Sequence, residues 1–335
     1  MRAAVCTTLI GEDGIEFRDD WPTPGPCGAN QVRIEVHAAS VNFPDTLITR
    51  GLYQIRRDPP FIPGNEAAGV VTAIGQAVDT VRVGDRVLTL TGLGAFADEI
   101  TATLPFQQVH RIPATMGYAD AAAFNLTYGT AGHGLIQRGH VQAGESVLVT
   151  GAAGGCGSAA IQIAVALGAR VIAVAGGAEK CALATHLGAT DVIDHRQLGD
   201  DDRALSEQVK TLTEGRGVDV VFDNVGGDSV RDLTRCLAWN GRFLVVGFAG
   251  GAVPTIALNQ TILKSVSFVG VAYGASAIAN PRANNELFAH LFAWYAEGKV
   301  TPHIGSRFSI ADAANAVRAV HNRLALGKVV IDFGR

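Results

Sequence analysis

The sequence lacks any pair of cysteines at C-x-x-C spacing. Its five cysteines, Cys6, Cys27, Cys156, Cys181 and Cys236, are an odd number scattered through 335 residues. That usage argues against a disulfide framework and a cysteine-built structural zinc site, and it fits a reducing cytoplasm. Long runs of one charge are missing too, and the net charge is −4. Binding nucleic acid needs a basic face, so nucleic acid is set aside as a main ligand. No apolar run is long enough to read as a membrane span. The most apolar window, Ala159 to Ala178, is interrupted by Gln162, Gly168 and Arg170 and reads as helix, turn and strand. The opening MRAAVCTTLIGEDG is too broken by charge for a signal peptide. Repeats and low-complexity tracts are absent as well.

The chain that remains is 48% hydrophobic and 17% charged, enough to bury a sizeable core. At 335 residues it is long for one core, so two domains are expected. The first third carries short alternating segments with Gly and Asp between them: Gln31–Ala39, Ala68–Ile74, Val83–Leu90 and Phe96–Thr101. This pattern predicts an antiparallel β domain. Near residue 120 the pattern changes. Strands are predicted at Ser146–Thr150, Arg170–Ala175, Asp191–Asp194, Val218–Asn224, Arg242–Gly247 and Val266–Val271. Helical runs such as Ser158–Leu167 and Glu179–Leu187 fill the gaps. Strands joined by helical crossovers predict a parallel, doubly wound sheet. A long amphipathic helix, Asn284–Gly298, follows, and the terminal GKVVIDF is expected to pair back onto the first domain. The expected division is 1–123 with 282–335, and 124–281 inserted between them.

Between the first of these strands and its helix lies VTGAAGGCGSAA, residues 149–160. A glycine loop in that context is a dinucleotide site, because a helix N-terminus offers unpaired N–H groups and the positive end of its dipole to a diphosphate. Gly154 is expected to let phosphate and backbone touch, and Gly157 to let helix and strand pack closely, with Ala153, Gly155 and Cys156 completing the loop. The first glycine of the usual G-x-G-x-x-G falls at Ala152. The second strand ends at Ala175 without the acidic residue that holds the ribose hydroxyls of NAD. Gly176 leaves room for a 2′-phosphate, with Lys180, His195 and Arg196 in reach, so NADPH is the expected cofactor. Lys180 and His195 can equally be solvated surface residues. Asn224, Gly247, Phe248 and Val271 stand at strand ends that line the cofactor crevice.

With these residues the chain resembles the medium-chain dehydrogenases/reductases, in their zinc-independent quinone oxidoreductase, zeta-crystallin-like branch. The resemblance rests on ordered motifs: Val41-Asn42-Phe43-Pro44-Asp45 with Gly51-Leu52-Tyr53, Pro63-Gly64-Asn65-Glu66-Ala67-Ala68-Gly69, Val83-Gly84-Asp85-Arg86-Val87, the glycine loop, Phe222-Asp223-Asn224-Val225-Gly226, and Gly327-Lys328-Val329-Val330. It implies an α/β protein with a GroES-like antiparallel domain and an inserted Rossmann domain. The positions matching the catalytic zinc ligands of the zinc branch are Asn42, Asn65 and Ala123, which do not make the usual zinc site, so no metal is expected. Without a Lewis acid the acceptor must be easily reduced: a quinone or another conjugated carbonyl. The resemblance implies site residues Asn42, Asp45, Tyr53, Asn65 and Thr127. Asp45 is either a substrate contact or a buttress of its loop. Asn65 is either functional or a structural replacement for a lost ligand. Glu66 is read as a structural carboxylate, and Lys328 as a cofactor contact. The branch commonly dimerises through its last Rossmann strand, so a homodimer acting on a small molecule is expected. Two rivals stand beside this reading. One is an enoyl-type reductase of acyl thioesters, its anionic tail met by Arg50, Arg56 and Arg57. The other is an NADPH-binding crystallin-like or redox-sensing protein with little turnover.

Overall fold

The computed structural model describes residues 1–54, 56–199 and 201–335. The chain forms two units. The first comprises Met1–Leu126, Ala277–Asn285 and Pro302–Arg335; the second comprises Thr127–Ser276 and Glu286–Thr301. Strands β1 (Ala3–Cys6), β2 (Ile15–Arg18), β3 (Gln31–Val41), β4 (Glu66–Ile74), β5 (Arg86–Leu90), β6 (Glu99–Thr103) and β7 (Gln108–Arg111) lie in the first unit. The second unit holds β8 (Ser146–Val149), β9 (Arg170–Ala175), β10 (Asp191–Asp194), β11 (Val218–Asp223), β12 (Leu237–Val245) and β13 (Ser267–Gly270). The chain then returns to the first unit with β14 (Ile304–Ser309) and β15 (Lys328–Asp332).

In the first unit the sheet runs β14-β15-β3-β4-β5-β7, with β6 also pairing β3. Every pairing in it is antiparallel except β14 with β15. Strand β3 shows why the sequence folds this way. Its first seven residues alternate between half-buried and buried, as one packed face requires, and its last four are all buried. That fully buried end, Ala38–Val41, is covered on both faces and leads into Asn42. Register decides what meets there: Ser40 lies opposite Glu66 of β4, and Val41 opposite Val329 of β15. Three strand ends therefore place Ser40, Glu66 and Lys328 side by side. The hairpin β1–β2 and strand β7 lack a clear alternating signature in the sequence and were not among the expected strands.

The second unit is a six-stranded parallel sheet in the order β10-β9-β8-β11-β12-β13. Its central strands carry Val147, Leu148, Val171, Ile172, Val221 and Phe222, all fully buried, as a sheet covered on both faces demands. The strand order reverses between β8 and β11, which is the switch point where such sheets bind ligands. The helix Gly155–Ala166 starts three residues earlier than the apolar pattern suggests, because its first turn is built from glycines. Strand β12 begins at Leu237, ahead of the expected Arg242, and turns at Asn240, whose φ is +60°.

One expected boundary is corrected. Residues 286–301 were assigned to the first domain, yet they group with the second unit. The reason is packing. Gln162 takes the Thr301 N–H at 2.6 Å and donates to the Thr301 carbonyl at 3.0 Å. Leu287 and Leu291 fill the space that a Cβ on Gly132 would need. Among the described residues no helix is long and apolar enough to cross a membrane.

Candidate active site

The first unit gathers a buried polar cluster around Glu66. Its Oε1 accepts from Ser40 Oγ at 2.9 Å, Asn42 Nδ2 at 2.8 Å and Lys328 Nζ at 3.0 Å, while Oε2 accepts the Leu126 N–H at 2.8 Å. The Lys328 ammonium also donates to Asn42 Oδ1 at 2.6 Å. Glu66 is 0% exposed and Lys328 3%. An ion pair this deep depends on the further hydrogen bonds that both charges make to neighbouring polar groups. Asn42 is fixed by both: its oxygen turns to the lysine and its NH2 to the carboxylate, with Ser40 O at 3.4 Å from the same nitrogen.

Asn42 also caps the helix Phe43–Ile48, which carries Pro44 in its first turn. The cap is reciprocal, and Asp45 Oδ2 accepts the Asn42 N–H at 2.7 Å. Asp45 Oδ1 lies 2.5 Å from Asn65 Nδ2. Burial pushes the Asp45 carboxyl up to about 7, against the pull of these two donors and of the Lys328 charge. The carbonyl of Asn65 accepts the N–H groups of Thr91 and Gly92 at 2.9 and 3.1 Å, tying in the next loop. Tyr53 stands half-buried on the cluster of Cys6, Ile48 and Phe61. Burial, and then the charge of Asp45, push its phenol pKa up. Its hydroxyl makes no hydrogen bond among the described residues.

The structure thus brings together Asn42, Asp45 and Asn65, with Tyr53 near Asp45. It also puts Lys328, expected at the cofactor, into the same cluster. Ser40 was missed and Glu66 read as merely structural; both lie at the centre, and the signal that finds them is strand register rather than local motif. Ala123, at the third zinc-ligand position, is fully buried. Among the described residues no group of three or more His, Cys, Asp or Glu side chains is placed to hold a metal ion.

The second unit holds the glycine loop. The residue in the left-handed conformation is Gly151, with φ +55°; a Cβ there would lie 2.5 Å from Asn224 Oδ1. The turn-forming glycine therefore sits one position before Ala152. A Cβ on Gly157 would come within 2.2 Å of the Gly151 carbonyl oxygen and 2.8 Å of Ala152 Cα, so helix and strand meet there without a side chain. Gly154 is different. It is exposed, it caps the helix, and a Cβ would meet only the Gly151 oxygen, at 3.3 Å. No acidic residue occupies the first turn. Ala153 is buried beside the loop and Cys156 half-buried in the first turn. Asp223 clamps the facing segment, accepting from Thr150 Oγ1 at 2.6 Å and from the N–H groups of Val225 and Gly226 at 3.1 and 3.2 Å. This fixes Asn224, whose Nδ2 is buried without a partner among the described residues. An open helix N-terminus beside an unsatisfied amide donor fits a dinucleotide diphosphate and its nicotinamide half.

At the far corner a Cβ on Gly176 would lie 2.5 Å from His195 Nε2, and one on Gly177 2.9 Å from Arg196 Nη1. The three expected residues Gly176, His195 and Arg196 are therefore together, and Lys180 lies in the first turn of the helix Ala178–His186. Asp194 was missed: its Oδ1 accepts the N–H groups of Gly177 and Arg196, both at 3.0 Å, and these bonds hold its carboxyl below the usual range. Gly247 and Phe248 follow β12, and Val271, whose N–H donates to Val245 O at 3.0 Å, follows β13. Thr127 is buried at the start of the second unit.

Comparison with known proteins places these features in context. The profile described as zinc-binding dehydrogenase matches residues 155–290, and that of the alcohol dehydrogenase GroES-like domain matches residues 28–114. Quinone oxidoreductase-like protein 2 of Bos taurus is 38% identical over 99% of this chain and 92% of its own length. Reducing polyketide synthase PKS1 of Cochliobolus heterostrophus is 31% identical over 98% of this chain, within 13% of its own. The crystal structure of Escherichia coli quinone oxidoreductase complexed with NADPH superposes with a TM-score of 0.88 at 28% identity, covering 99% of this chain and all of that one.

Two outcomes follow from the buried cluster. Lys328→Met leaves Glu66 charged and unpaired, so unfolding in urea should show a loss of about 3–5 kcal/mol, while Lys328→Arg recovers part of it. For Asp45 the folded carboxyl pKa, about 7, lies above the unfolded one, about 4. The folded state then binds more protons, and stability falls as pH rises between those values, by at most about 1.4 kcal/mol per pH unit from this group. Asp45→Asn should flatten that limb of the urea-midpoint profile; an unchanged slope would assign the titration to another group.

Proposed function

The chain belongs to the quinone oxidoreductase branch of the medium-chain dehydrogenases/reductases, and from that premise we propose that it is an NADPH-dependent oxidoreductase that reduces a quinone or similar conjugated carbonyl without a metal. Bound NADPH supplies a hydride at its nicotinamide. The rest of the chemistry falls to the chain. The glycine loop holds the diphosphate against the helix Gly155–Ala166, and Gly176, Lys180, His195 and Arg196 receive the 2′-phosphate. Asn224, Gly247, Phe248, Val271 and Thr127 orient the remainder of the cofactor.

The acceptor's oxygen gains charge as hydride arrives, and a hydrogen-bond donor aimed at it lowers the barrier. Asn42 is a poor choice for that donor, because both ends of its amide are engaged by Glu66, Ser40 and Lys328. Tyr53 has a free hydroxyl, kept protonated by its raised pKa. We therefore assign Tyr53 to the acceptor oxygen, and Asn42, Asp45 and Asn65 to holding its surroundings in place. The proton that completes a quinol or saturated carbonyl comes from solvent. The observation that supports the reading is that the Lys328 ammonium bonds both Glu66 and Asn42, the latter matching a zinc-ligand position of the zinc-dependent branch.

The runner-up is reduction of an α,β-unsaturated acyl thioester, favoured by the likeness to a stretch of a reducing polyketide synthase. Arg50 does not serve it, since its guanidinium is held by Glu12 and the Thr46 carbonyl. We also propose a homodimer. Strand β13 pairs with β12 on one side only, and Leu258, Ile262 and Leu263, in the segment before it, are 73–78% exposed.

Following absorbance of the reduced nicotinamide with 1,4-benzoquinone, a 2-alkenal and crotonyl-CoA tests the reading. Oxidation with the quinone, faster with NADPH than NADH and undiminished by a chelator, is expected. Turnover of the thioester alone favours the runner-up, and none at all favours a binding protein. Sedimentation equilibrium should give a dimer, and Ile262→Asp should shift it toward monomer.

A further inference from the structure

An open cleft lies in the first unit, and none of its lining residues belongs to the polar cluster. Its volume is about 500 Å³, and it is lined by Trp21, Arg57, Phe61, Ile62, Leu93 and Gln107 among others. That is the size of a small-molecule site. The lining is mostly apolar, and its internal polar groups are matched. Gln107 donates to the Thr91 carbonyl at 2.7 Å and accepts the Thr103 N–H at 2.6 Å, and the Thr91 hydroxyl donates to Leu93 O at 2.9 Å. Two donors remain. Arg57, exposed at the rim, forms no hydrogen bond or ion pair among the described residues, and neither does the indole N–H of half-buried Trp21. Trp21 is itself seated on Ala3, Val5 and Ala97. Among the described residues no carboxylate lines the cavity. The chemistry is therefore one-sided: apolar walls, two donors, one of them cationic, and no acidic partner.

The cavity also adjoins the proposed acceptor site. Phe61 belongs to the cluster that carries Tyr53, and Leu93 packs against the same cluster. The loop Thr91–Gly92 is bonded to the Asn65 carbonyl. Resting on the oxidoreductase reading, we propose that this cavity receives the tail of the acceptor, an apolar chain bearing a carboxylate or comparable oxyanion that Arg57 and the Trp21 N–H engage.

Two benzoquinones with the same alkyl chain, one ending in carboxylate and the other in methyl, test this with NADPH as reductant. The full chain should prefer the carboxylate by about tenfold in kcat/KM, the effect of one charge-assisted hydrogen bond. Arg57→Ala should reduce that ratio to near one, and Trp21→Phe should lower it in part while keeping the apolar wall. A direct titration with decanoate, read by tryptophan fluorescence, supplies a measurement free of turnover; its affinity should fall about tenfold in Arg57→Ala. Absence of a preference in the unaltered protein, or survival of both the preference and the decanoate affinity in Arg57→Ala, overturns the proposal. Quinone turnover without dependence on Arg57 removes the cavity's role and leaves the oxidoreductase reading standing. Decanoate binding that depends on Arg57, with no acceptor reduced, does the reverse.

Discussion

An ammonium group buried to 3% exposure must be answered by anions and dipoles inside the protein, and in this chain that requirement is met by Glu66 and Asn42. Much follows from it. The pairing requires β3, β4 and β15 to hold one register, because a slip of a single residue would turn Ser40, Glu66 or Lys328 to the other face. It fixes which way the Asn42 amide points, and Asn42 in turn caps the helix that carries Asp45. The cluster is thus a structural lock that holds strand register and the Asn42 cap together.

This arrangement shapes the chemistry by withholding groups as much as by presenting them. The charges of Lys328 and Glu66 answer each other, and the Asn42 amide is saturated between them. The group assigned above to the acceptor oxygen is milder: the phenol of Tyr53, packed on Cys6, Ile48 and Phe61. On the proposed reading, such a site suits acceptors that delocalise incoming charge through their own conjugation.

The nucleotide unit uses the opposite device, the removal of side chains. Gly157 permits contact between helix and strand, Gly151 takes the left-handed turn, and Gly154 leaves the helix end open. Asp223 holds the facing segment still, so that the loop and Asn224 are rigid before any ligand arrives, which limits the entropy lost on binding.

The sequence alone determined the class of fold, the order of its two halves and the location of the glycine loop. Those features are written in local signals: alternation with period two, strand and helix runs in succession, and glycines at short spacing. Element ends were less legible, as in the glycine-built first turn at Gly155 and the early start of β12, because propensity is weakest at such places. The bonding of Lys328 to Glu66 and Asn42, the central place of Glu66 in that cluster, the engagement of Arg50 by Glu12 and the packing of residues 286–301 with the second unit came only from the tertiary structure. Lys328 and Glu66 are 262 positions apart. No periodicity reaches across such a distance, and only the register of strands brought together by folding decides which buried charge finds which partner.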